Sequence, residues 1–187
     1  MGLFDTVKGV EQYIKMAEGY DGAGLFKILQ KYLPENSTVL ELGMGPGKDM
    51  DILRKSYAVT GSDNSQVFLD KYSRKHQDED LLLLDAVTIQ TDRKFDCLYS
   101  NKVLHHLTQE DMAKSFQRQK DVLNPNGIVF HSFWKGNKVE EMEGMLFTYY
   151  EMADLKKMTE SNFDVLDMET YTEIEKDYSI YAVLKTR

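Results

Sequence analysis

The chain is short of cysteine, proline and long apolar runs. Its one cysteine, Cys97, has no partner for an intramolecular disulfide. That excludes a disulfide scaffold and points to a reducing compartment, so a cytoplasmic location is the expectation. No apolar run approaches the ~20 residues that span a bilayer, and no basic segment followed by an apolar one marks a secretory leader. Met1-Gly2-Leu3-Phe4-Asp5-Thr6 fits the short myristoylation pattern. Neither a nearby cysteine nor a polybasic stretch supplies the second signal that stable anchoring takes, so no membrane partner is expected. Basic residues are in deficit, 23 against 31 acidic, for a formal net charge of −8. This disfavours nucleic acid as the main partner, because backbone binding rests on a positive surface. The three prolines, Pro34, Pro46 and Pro125, all stand beside turn-type residues at apparent element boundaries.

What is present is ample core material. The 187 residues, 42% hydrophobic and 11% aromatic, suffice for one globular domain that needs no staples. We read 1–187 as a single domain, with 1–36 an N-terminal helical segment and 37–187 the core. In the first segment Leu3, Phe4, Val7, Val10, Ile14 and Ala17 recur at helical steps, and Leu25, Ile28, Leu29, Tyr32 and Leu33 form a second stripe. From Thr38 the pattern alternates. Strands are predicted at 38–42, 57–63, 81–85, 95–99 and 128–133, the third buried on both faces. Helices are predicted over 49–55, 65–75 and 109–123. Strands separated by such helices indicate βαβ units and a parallel sheet. A helix over 139–160, with Met142, Met145, Leu146, Tyr149 and Met152 on one face, precedes two strands at 163–168 and 178–184 that must run antiparallel to one another. The fold class is α/β.

The segment richest in chemistry is Glu41-Leu42-Gly43-Met44-Gly45-Pro46-Gly47-Lys48-Asp49. A strand ends, a glycine turn follows and a helix begins, the arrangement in which open α/β sheets bind ligands. The dinucleotide fingerprint G-x-G-x-x-G fails, since Lys48 stands where the third glycine belongs. The phosphate loop fails because Asp49 replaces its Ser or Thr. Glu41, two residues before the first glycine, disfavours a pyrophosphate there and favours a ligand carrying positive charge. Asp63, at the end of the second strand, serves either to accept both hydroxyls of a ribose or to cap the next helix. Asp85, at the end of the third, serves either to accept an adenine amine or again as a cap. Cys97, mid-strand, reads as a small buried hydrophobe.

Taken together, Glu41-Leu42-Gly43-x-Gly45-x-Gly47, then Asp63, Asp85, Phe95-Asp96-Cys97-Leu98-Tyr99-Ser100-Asn101 and Leu123-Asn124-Pro125-Asn126-Gly127-Ile128 resemble the class I S-adenosylmethionine-dependent methyltransferase family. The resemblance covers about residues 36–134. It implies a Rossmann-like three-layer sandwich, its mostly parallel seven-stranded sheet carrying an antiparallel C-terminal strand, with N-terminal helices acting as a lid. It implies S-adenosyl-L-methionine as cofactor and S-adenosyl-L-homocysteine as product. Glu41 would hold the sheet-end loop and stand near the methionine amino group through water, Gly43, Gly45 and Gly47 would let the cofactor lie on the backbone, and Asp63 would hold the ribose. Asp85 would meet the adenine amine, Ala86 would line the ring, and Asn101 would approach the methionine part or the acceptor. His105 and His106, after the fourth strand, are candidate general bases. Tyr13 and Tyr20 in the N-terminal segment, with Trp134 and Tyr149 beyond the fifth strand, are candidate lid or acceptor contacts. Ser100-Asn101-Lys102-Val103 lacks the proline-rich motif of the family's DNA-adenine and protein-glutamine methylators, so the resemblance is to its small-molecule branch. A small-molecule acceptor, no metal, and a monomer or homodimer are expected. The alternative is a non-catalytic S-adenosylmethionine-binding sensor or partner subunit.

Overall fold

The computed structural model describes residues 4, 6–16, 18–19, 22–142, 144–173 and 178–187. Two helices, α1 (Val7–Met16) and α2 (Ala23–Leu29), precede an alternation of β1 (Thr38–Leu42), α3 (Lys48–Leu53), β2 (Ala58–Asp63), α4 (Gln66–Ser73), β3 (Leu81–Leu83) and β4 (Phe95–Asn101). A 3-10 turn (Leu104–His106) leads into α5 (Gln109–Val122) and β5 (Leu123–Trp134). The chain closes with β6 (Val139–Met142), β7 (Met145–Thr148), α6 (Met152–Thr159), β8 (Phe163–Tyr171) and β9 (Ser179–Thr186). Seven strands form one sheet in the order β3-β2-β1-β4-β5-β9-β8. β1 through β5 pair in parallel, and β9 runs antiparallel to both its neighbours. The order reverses beside β1, between β2 and β4, and the glycine turn stands there.

Alternation along the strands builds two apolar layers. Leu40, Leu42, Leu98 and Val129 face Met112 and Phe116 of α5 and Leu155 of α6. Val39, Cys97, Tyr99 and Phe130 face Leu25 and Leu29 of α2. Period-2 side chains on a sheet covered on both faces produce this three-layer sandwich. Cys97 is fully buried, and that burial pushes its thiol far above the usual range. It packs and does not react.

Two expectations about elements are corrected. The third strand is not buried on both faces: β3 is the sheet's edge and Leu83 is 57% exposed. Leu82 and Leu84 reach one core cluster and Leu81 packs against another, around Met44, Met50, Leu69 and Tyr72, while Leu83 is left at the edge. The helix over 139–160 is a hairpin, β6 with β7, followed by a helix over only Met152–Thr159. Gly144 lies in the hairpin's turn, and Glu151 and Asp154 form a capping box that starts α6 eight residues later. Of the apolar residues that fit a helical step, Met142 and Met145 also fit as a cross-strand pair, and Leu146 faces Glu141. Short apolar stretches do not separate these alternatives by periodicity.

Candidate active site

The ends of β1, β2, β3 and β4 open on two cavities, about 450 and 690 Å³, that share Tyr13, Gly43, Gly45, Asn101 and Lys102 as walls. They are two halves of one cleft. The first is bounded by Asp63, Asp85, Ala86 and Leu107, and by Phe4, Tyr13 and Phe68. Those three rings pack with centroids 5.2–5.8 Å apart, and Ser65 Oγ donates to the Phe4 carbonyl at 2.5 Å. Phe4 and Tyr13 thus wall this half from the N-terminal segment, while α2 packs in the sheet's apolar layer and its Leu25 also lines the second half. Tyr20, the other tyrosine expected there, lies outside the described residues.

Asp63 is buried and holds the glycine turn. Its Oδ2 accepts from the Gly45 amide at 2.8 Å and its Oδ1 from the Ser65 amide at 2.9 Å. Burial pushes its pKa up, and the amides of Ser65, Gly45 and Asn64 oppose that rise. Ser65, not Asp63, is the N-cap of α4, its side chain accepting from the Phe68 amide, and Asp63 lines the cavity. Asp85 behaves alike: its Oδ1 accepts from the amides of Val87 and Thr88 at 2.9 Å each, and the residue borders the same cavity. Gly47 lines neither half. It caps α3 in the left-handed conformation, with φ +82°.

The second half is acidic. Glu41, only 3% exposed, has its Oε2 buried with no hydrogen-bond partner. Burial above all, then Asp49, Asp63 and Asp51, pushes its pKa well above the usual carboxylate range. Asp49, at the start of α3, accepts from Asn101 Nδ2 at 2.8 Å, and Ser132 Oγ donates to Asn101 Oδ1. These two bonds fix the orientation of the Asn101 amide. Asp49 was not singled out in the sequence, although a carboxylate in the first turn after a glycine loop is a legible signal.

Lys102 was also missed. Its backbone is left-handed, φ +56°, and its amide donates to Ser132 Oγ at 3.1 Å. Its Nζ donates to Ser179 Oγ at 2.7 Å and to Tyr171 Oη at 3.0 Å, and pairs with Glu173 at 2.9 Å. It also lies 4.0 Å from the centroid of the Trp134 ring. Burial lowers its pKa to about 8 against the pull of Glu173. The cation ties the ends of β4, β5, β8 and β9 into one wall of the second half. Nothing local announces it, because Tyr171 is 69 residues away. Trp134 lines this wall, whereas Tyr149 lines neither half: it packs on Tyr178, with centroids 6.1 Å apart, and under the Lys138 ammonium.

The adjacent histidines divide. His105 is buried with both ring nitrogens lacking hydrogen-bond partners, stacked on Phe147 at 5.6 Å. Burial, then His106 and Lys102, holds its pKa well below the usual value. His106 borders the first half, and its Nδ1 lies 2.7 Å from the Leu146 carbonyl on β7. A carbonyl only accepts, so Nδ1 carries the proton and Nε2 presents a lone pair. Burial lowers the His106 pKa against that bond, which keeps the ring neutral at pH 7. Among the described residues no group of three or more His, Cys, Asp or Glu is placed to hold a metal, and no helix is long and apolar enough to cross a membrane.

A doubly wound sheet with a glycine turn at its switch point, an acidic cleft floor and an antiparallel penultimate strand defines the class I methyltransferase fold. Residues 39–127 match the family model described as a methyltransferase domain. It is 31% identical over 130 residues to an uncharacterised methyltransferase of Oceanobacillus iheyensis, covering 67% of this chain and 58% of that protein. It is 24% identical to phosphoethanolamine N-methyltransferase of Plasmodium falciparum, over 94% of this chain and 71% of that one. The chain spans only 28% of a Streptomyces fradiae transposon protein that it also matches. Among solved structures, Burkholderia thailandensis 1,6-didemethyltoxoflavin-N1-methyltransferase, bound to its substrate and S-adenosylhomocysteine, superimposes with a TM-score of 0.83 at 15% identity, covering 98% of this chain and 86% of that one.

Proposed function

We propose that the protein is an S-adenosylmethionine-dependent methyltransferase acting on a small molecule. The observation that carries this is Glu41: an unpartnered, buried carboxylate oxygen in a cleft shared with Asp49 and Asp63 calls for a cationic ligand. The sulfonium cofactor fits that demand, and Gly43 and Gly45 let it approach the backbone. When bound, the cofactor supplies an activated methyl group for direct displacement. The chain's own residues do the rest. Asp63 holds the ribose, Asp85 and Ala86 meet the adenine, and Glu41 faces the methionine ammonium. Phe4, Tyr13 and Phe68 exclude water, which leaves alignment as the main source of rate. His106 Nε2 takes a proton from an acceptor that carries one at neutral pH. The Plasmodium and Burkholderia relatives are both named for methyl transfer to nitrogen, which supports a small acceptor with a nucleophilic nitrogen.

The test is turnover. Purified protein with S-adenosylmethionine and fractionated small-molecule metabolite pools is expected to release S-adenosylhomocysteine with at least one fraction. Saturable cofactor binding without release from any fraction would leave the sensor reading in its place. An absence of binding at millimolar cofactor would remove both.

A further inference from the structure

Beneath the first half of the cleft runs a line of polar side chains that the methyl-transfer reading does not use. Ser100 at the end of β4, His131 in β5, and Gln119 and Ser115 on α5 are each fully buried. Ser100 Oγ is 2.7 Å from His131 Nδ1, and His131 Nε2 is 2.8 Å from Gln119 Oε1. Gln119 Nε2 donates to Ser115 Oγ at 3.0 Å, and Ser115 Oγ donates to the Ala86 carbonyl at 2.6 Å. An amide oxygen only accepts, so Nε2 of His131 carries the proton and Nδ1 accepts the Ser100 hydroxyl. Every donor therefore points one way, from Ser100 towards Ala86. Burial lowers the His131 pKa to about 3, so the ring stays neutral and the order is preserved across ordinary pH.

The same helix face grips the rest of that turn. Arg118, beside Gln119, donates through Nε to the carbonyls of Thr88 and Ile89 at 3.2 Å each, and through Nη2 to Thr91 at 2.7 Å. Ser115 and Arg118 thus hold four carbonyls of the segment after β3: Ala86, Thr88, Ile89 and Thr91. Apolar side chains of similar volume would fill this core at no greater cost, since a satisfied buried polar group adds only modest net stability. What they could not do is set the rotation of the Ala86 peptide. Ala86 and Asp85 line the first half of the cleft, the half that the cofactor reading gives to the adenine.

We propose that Ser100, His131, Gln119 and Ser115 are positioning residues that fix the Asp85–Ala86 turn and so set the cofactor's base selectivity. This rests on the cofactor reading above. The test compares binding of S-adenosylhomocysteine with binding of its inosine analogue, whose purine carries oxygen in place of the exocyclic amine, by calorimetry. Wild-type protein is expected to prefer the amine. Ser115→Ala is expected to cut that preference about fivefold, the scale of one hydrogen bond, mainly through weaker S-adenosylhomocysteine binding. A folded variant with unchanged preference, or with equal losses for both ligands, would overturn the proposal. Gln119→Met breaks the line one link earlier and decides by the same criterion if Ser115→Ala does not fold. Failure of both variants to fold would make the line a stability element and overturn it too. Wild-type protein that bound neither ligand would instead sink the cofactor reading on which the proposal stands.

Discussion

Glu41 is a carboxylate buried among carboxylates, and its raised pKa has a consequence for binding. In the free protein it keeps its proton above the usual range. A bound cation favours the ionised form, so cofactor binding must expel that proton. Affinity is therefore expected to rise with pH from the ordinary carboxylate value up to the raised one, and to level off above it. Calorimetry in two buffers of different ionisation enthalpy measures the release. Identical apparent enthalpies in both would show that Glu41 does not face the cation. His106 works in the opposite sense. Its lowered pKa leaves Nε2 unprotonated at neutral pH, so the rate is expected to be flat there and to fall only as pH drops below the ordinary histidine value near 6.5. For an acceptor that carries a proton, His106→Gln is expected to lower kcat by about 10²–10⁴, with loss of that acid limb. A kcat within a few-fold of wild type would assign His106 to packing against Phe147.

At the scale of elements, the turn between β1 and α3 does the most. Gly43 has φ +67°, and a Cβ there would meet Val103 Cγ1 at 2.6 Å; Gly45 has φ +51° with its nearest neighbour, on Tyr13, at 3.8 Å. Gly45→Ala is therefore expected to cost about 1 kcal/mol, for backbone conformation alone. Gly43→Ala adds the displacement of Val103, roughly 1–3 kcal/mol more. Chemical denaturation of the two variants reads the difference, and equal losses would mean that Val103 yields freely. The hairpin of β6 and β7 is the element that sequence periodicity misassigned, and it carries the Leu146 carbonyl that orients His106. The βαβ order and the glycine turn were legible because their signals are local: alternation, turn residues and a strand-to-helix switch. The Lys102 wall and the line from Ser100 to Ala86 were not, because their partners lie on separate strands and helices and share no local pattern.

For the whole molecule, ligand binding and stability are linked by mass action. At 100 times its Kd, S-adenosylhomocysteine is expected to add about 2.7 kcal/mol, a rise in Tm of roughly 5–10 °C for a chain of this size. A melting temperature that stays put across that range of ligand would contradict the proposed site. Composition and spacing alone determined the α/β class and the position of the glycine turn, and placed Glu41, Asp63 and Asp85 at or just past strand ends, because each follows from residue type and separation along the chain. Only the tertiary structure decided which of the adjacent histidines borders the cleft, that Asp49 and Lys102 belong to it, and that Tyr149 does not. Those outcomes depend on which strand ends meet at the sheet's C-terminal edge, and that meeting is settled by packing between residues far apart in the chain.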